Sequence, residues 1–252
     1  MFPKTSTPFR FSYIFKDPGM FLAIANAFLF LKSSLFAFIT ILLAIALIFA
    51  LRFYGRTQCD SENALLTFLH VFGQKKFLGL EIMGYACLII AFMAMVQQQF
   101  IYFICSFCFG LANLLLAFQL TPHLYTQAVN WGNVIKKVQS TYALTPILLA
   151  TLNEPILLIC IGFIHAGLAA GAESLWILPI ILVAPFVILT KPKLNRAYPQ
   201  SCFCLGALWY TYVALSHQQW LLALSNALCA VAYAEIAIQE HRLFINRLQQ
   251  RL

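Results

Sequence analysis

Four ionisable side chains, Glu81, Glu154, His165 and Glu235, stand inside or at the edges of long apolar runs. Charge in hydrocarbon is expensive, so each is a candidate for gating a path or moving a proton. Glu154 is followed by Pro155, which cannot donate to a helix ladder and frees a carbonyl. The pair therefore marks an interrupted helix at which a carboxylate can couple to movement. His165 lies deep enough in the same run to partner a carboxylate. Glu235 follows Tyr233 in the last run and either neutralises Arg242 or faces the bundle. Glu81 comes soon after Lys75 and Lys76, and a pair with one of them accounts for it. Cys105 and Cys108 form a CxxC, a spacing used for redox or metal work. No second CxxC and no neighbouring His completes such a site, so packing accounts for these thiols better. No GxSxG occurs, and no carboxylate pair is assembled by spacing to activate water. Neither a metal nor a cofactor is expected.

The elements that carry these residues belong to a membrane. Hydrophobic residues make up 62% of the chain and charged ones 10%, against about 25% charged in soluble domains. Twelve of the 16 cations fall in four segments: 52–76, 136–137, 191–196 and 242–251. The connections near Gln97–Gln99, Ala169–Ser174 and His217–Gln219 carry none. Cations are retained on the cytoplasmic side, which puts the basic segments and the C-terminus inside. The net charge of +8 is thus explained by the lipid surface, and no nucleic-acid partner is expected. A bacterial inner (plasma) membrane is the expected location.

The expected architecture is an all-α, polytopic integral membrane helical bundle, with residues 1–252 forming one membrane domain. A crossing needs about 20 apolar residues. The clearest spans run near residues 77–95, 100–120, 144–168, 175–190, 198–215 and 220–238. The first apolar block, 20–53, is long for one crossing and short for two, with Lys32, Ser33 and Ser34 near its middle. One crossing gives seven spans and an outer N-terminus; two give eight and an inner one. Seven is the count preferred here. Residues 241–252 alternate Arg with apolar residues and are expected to form a cytoplasmic amphipathic tail on the inner surface.

Shifting the chain by 120 residues lays 84–120 on 204–240. Gln98–Gln99–Phe100 then meets Gln218–Gln219–Trp220, and both hairpins rise from inside, turn outside and return. Parallel three-helix repeats joined by a linker helix follow: repeat 1 over 20–120, linker 141–170, repeat 2 over 174–240. Transporters built this way bind substrate at the repeat interface.

Ala184–Pro185, Thr190–Lys191, Tyr198–Pro199–Gln200–Ser201, Trp209, Tyr212 and Asn226 together resemble the last three helices of the MtN3/PQ-loop (SWEET-like) sugar transporters. That family carries a Pro in the first helix of each bundle, a short basic loop, a Trp-x-x-Tyr and then an Asn. The resemblance implies that Trp209, with Tyr212, stacks on a sugar-like solute and that Asn226 hydrogen-bonds it. In the first half Ser106 stands where the second has Asn226, and Ile89 stands opposite Trp209.

The resulting expectation is a carrier for a small neutral polar solute, with substrate contacts from Trp209, Tyr212, Asn226 and Ser106. Glu154, Pro155, His165 and Glu235 would serve gating or proton coupling. Its partners would be the bilayer, the solute, and a second copy or a membrane subunit. Two alternatives stand beside it. The hairpin layout also resembles the eight-span lysoplasmalogenase family of lipid hydrolases, although its acidic positions correspond here to Ala91 and, loosely, Ala234 or Glu235. The third reading is a non-catalytic membrane subunit whose polar residues only join helices.

Overall fold

The computed structural model describes residues 17–31, 34–55, 69, 71–120, 155–170 and 196–249. Among them every regular element is a helix: α1 (Pro18–Phe30), α2 (Leu35–Tyr54), α3 (Leu78–Val96), α4 (Phe100–Leu120), α5 (Pro155–Ala170), α6 (Ala197–Ser216) and α7 (Trp220–Gln249). Four of these, α2, α3, α4 and α7, are long and apolar enough to cross a membrane.

The first apolar block folds as two helices. Asp17 caps α1 by accepting the Gly19 N–H at 3.0 Å, and Pro18 opens the helix, where its missing N–H costs nothing. After Leu31 the chain restarts at Ser34, whose extended backbone and hydroxyl, accepting the Ala37 N–H at 3.3 Å, cap α2. The two run antiparallel, since Asp17 at the start of α1 meets Arg52 at the end of α2. One tilted helix through the block is therefore replaced by a helical pair. At 13 residues, α1 measures about 20 Å, less than a hydrocarbon core of about 30 Å.

α3–α4 and α6–α7 are hairpins closed by the same turn. Gln98 has φ 59° and Gln218 φ 56°, a left-handed conformation seldom taken by residues with a side chain. In the first, the N–H groups of Gln98 and Gln99 donate to Met95 and Ala94 at 3.0 and 2.8 Å. In the second, those of Gln218 and Gln219 donate to Leu215 and Ala214 at 3.0 and 2.8 Å. This is the Schellman pattern, which satisfies carbonyls left open at a helix end. The next helix then starts at once, Phe103 donating to Gln99 and Ala223 to Gln219, each at 2.9 Å.

Packing sets the relative directions. Lys76, just before α3, bonds Gln239, in the second half of α7, at 2.9 Å. Both hairpins therefore point the same way, with Gln98 and Gln218 at one end of the bundle and Arg52, Lys75, Lys76, Arg196 and Arg242 at the other. α1 packs against α7, while α5 packs against α4, so each hairpin is flanked by a Pro-initiated helix. Met20, Ile41, Ile48, Leu78 and Met83, all 0% exposed, bind α1, α2 and α3 into one core. A second core joins α4, α5, α6 and α7 through Leu116, Leu158, Phe203 and Ile236.

α7 continues unbroken through Gln249, with no Gly or Pro to stop it. Its 30 residues extend about 45 Å, beyond the thickness of a hydrocarbon core. Residues 241–249 continue this helix, and Leu243 packs against the second core.

Candidate functional site

The basic end is a layer of paired charges. Asp17 is 1% exposed and Arg52 8%, and Arg52 Nη2 donates to Asp17 Oδ2 at 2.7 Å and to the Lys76 carbonyl at 2.8 Å. The Gly79 N–H reaches the same carboxylate at 2.6 Å. Glycine is required on both sides of this contact. A Cβ on Gly19 would lie 2.0 Å from the Gly79 carbonyl carbon, and one on Gly79 would lie 2.7 Å from Asp17 Oδ1. Burial pushes the Asp17 carboxyl above its ordinary range, while Arg52 and the N–H groups of Gly79 and Gly19 pull it back. Beside this pair, Lys75 Nζ bonds both Glu81 oxygens at 3.0 Å, as their sequence positions suggested. Gln239, which accepts from Lys76, donates in turn to Glu235 Oε1 at 2.7 Å. Glu235 is thus tied into the basic layer by its own helix.

Midway along the helices the packing is aromatic. Phe163 of α5 meets Phe109 edge-on at 5.1 Å, stacks on Phe203 at 5.8 Å and lies 5.9 Å from Tyr233. Phe203 and Tyr233 are 5.5 Å apart, closing a cluster that joins α5, α6 and α7.

At the glutamine end an open groove of about 450 Å³ lies between the end of α1 and the second hairpin turn. Phe28, Leu29, Gln218, Gln219 and Trp220 line it. Below it runs the α1–α7 seam, where the Ser225 hydroxyl donates to the Ala25 carbonyl at 2.8 Å. The next residue is Asn226, whose Nδ2 is buried and has no hydrogen-bond partner. Six residues from Trp220 along a helix is about 9 Å. An amide donor without a partner in a buried place carries a desolvation cost of about 1–3 kcal/mol.

The remaining expected site residues are dispersed. Trp209 and Tyr212 are neighbours, with rings 5.8 Å apart. They are 48% and 64% exposed, on the face of α6 opposite its buried residues Gln200, Phe203 and Ala207. In α3 the corresponding positions, Ile89 and Phe92, are exposed as well. The structure therefore does not bring Trp209 and the half-buried Asn226 into a common pocket among the described residues. Ser106 is half-buried on α4. Pro155 is buried and opens α5, among the described residues. Glu154 and the side chain of His165 lie outside the described parts. The CxxC thiols of Cys105 and Cys108 are both free.

Two features escaped the sequence reading. Gln218, Gln219 and Trp220 were visible as a hairpin turn, but nothing local reveals that α1 closes a groove over them. Gln200 is 0% exposed with neither amide atom partnered, which the Pro–Gln dipeptide alone does not disclose. Comparison with family models, with curated proteins and with solved structures found no match.

Proposed function

We propose that this chain is a membrane carrier for a small neutral polar solute, which enters at the glutamine end and is first held by Asn226. The observations that support the reading are the groove of about 450 Å³ at the glutamine end and, about 9 Å further along the helix from its Trp220, the half-buried Asn226, whose Nδ2 is buried without a partner. A neutral polyol or amide can exchange water for such a group without bringing a charge into the bilayer. Trp220 and Phe28, rather than Trp209, are the aromatic residues lining this entrance.

The plan of the bundle supports a carrier built from two parallel units. Each unit starts with a helix opened by a proline, Pro18 or Pro155, that an acid precedes in the sequence, and ends in a hairpin with the Gln turn. The first helix of each unit packs against the last helix of the other. With the apolar stretch 175–190 counted from sequence, this reading has eight helices, both termini inside, and the glutamine end outside in a bacterial inner membrane.

The eight-helix count also suits the lipid-hydrolase reading. Of its possible acids, Asp17 is bound to Arg52 and Glu81 to Lys75, so neither is free to activate water. Purified protein in vesicles separates the two. The carrier is expected to equilibrate labelled glucose, glycerol or acetamide at least tenfold faster than empty vesicles. Aldehyde release from a vinyl-ether lysolipid, with no solute flux, would favour the hydrolase and reject the carrier.

A further inference from the structure

Gln200 lies in the first turn of α6 at the basic end, fully enclosed, with Oε1 and Nε2 both lacking partners. Native proteins pair nearly all buried polar atoms, so a doubly unpaired amide calls for an explanation. Its position relative to the other sites follows from hairpin geometry. Gln200 stands about ten residues further from the Gln218 turn than Asn226 does, roughly 15 Å along the bundle. Phe203 and Tyr233, in contact at 5.5 Å, lie at the level between them, and Phe163 covers Phe203 at 5.8 Å. The two unpartnered amides of the second hairpin thus fall on opposite sides of an aromatic closure.

We propose that Gln200 is a second solute-binding residue, which receives the solute on the inner side of the Phe163–Phe203–Tyr233 cluster. This rests on the carrier reading and extends it to a second station. A side-chain amide with both atoms free offers one donor and one acceptor side by side. It suits solutes that present the complementary pair, a vicinal diol or a primary amide, over solutes that only donate or only accept. No charge changes place in the step; one set of hydrogen bonds is exchanged for another.

The test is Gln200→Met, which keeps length and apolar volume and removes both polar atoms. If the amide has no partner within the fold, the variant melts no lower than the unaltered protein and up to about 2–4 °C higher. Flux of glucose, glycerol and acetamide in vesicles should fall at least tenfold, while glucose still raises the melting temperature through Asn226. A melting temperature lowered by more than about 4 °C would mean that the fold itself uses the amide, and would overturn the proposal. Unchanged flux in Gln200→Met beside active unaltered protein would overturn it and leave the carrier intact. No flux in the unaltered protein would remove the carrier reading, and this station with it.

Discussion

Arg52→Met is expected to destabilise the protein by about 3–5 kcal/mol at neutral pH, measured by thermal or denaturant unfolding in detergent. The guanidinium is 8% exposed and compensates a carboxylate that is 1% exposed. Removing it leaves Asp17 charged in a place that burial already makes hostile to charge. The remaining partners, the N–H groups of Gly19 and Gly79, carry dipoles and no net charge. The loss should depend on pH in a fixed direction. Asp17 has its folded pKa raised, so acid favours the neutral form that the variant tolerates. The penalty is therefore full at neutral pH and shrinks as pH falls into the range where Asp17 takes a proton. Asp17→Leu combined with Arg52→Met should recover part of the loss, because no lone charge remains. Recovery stays incomplete, since two backbone donors lose their acceptor. Equal losses for the single and double variants at all pH values would show that the pair contributes only packing.

Asn226→Leu is expected to reduce solute flux at least tenfold without lowering the melting temperature. Its Nδ2 is buried and unpartnered, so the fold loses no hydrogen bond when that donor goes. Trp209→Leu should leave flux within about twofold of the unaltered protein, because Trp209 is 48% exposed on the outward face of α6. Vesicle flux with matched protein amounts reads both variants. Loss in Trp209→Leu with normal flux in Asn226→Leu would move the site from Asn226 on α7 to the α6 surface.

The hairpins were legible in the sequence because each carries its own punctuation. A Gln run between two apolar stretches of crossing length announces a turn, and its recurrence from Gln98 to Gln218 announces a second one of the same form. The break at Ser34 was half-legible. Ser is a strong helix cap, but only the pairing of Asp17 with Arg52, 35 residues apart, fixes α1 and α2 as antiparallel neighbours. Long-range partners of that kind leave no local trace. The spacing of Trp209 and Tyr212 put them on one face of a helix, yet three residues' separation cannot say which face is buried. Asn226 kept its place as a candidate because an amide in a long apolar run is unusual wherever it points. The unbroken course of α7 could have been read from its lack of Gly and Pro.

Both proposed solute stations presuppose that the two Gln turns share the outer face while the basic layer lies inside. An impermeant maleimide applied to sealed cells, with Gln98→Cys, Gln218→Cys and His241→Cys in turn, reads those positions one by one above the background of the unaltered protein. Labelling of the first two in intact cells, and of His241→Cys only after the membrane is opened, is the expected result. If Gln98→Cys and Gln218→Cys react from opposite sides, the hairpins cross in opposite senses, and the path from the Trp220 groove through Asn226 to Gln200 does not exist.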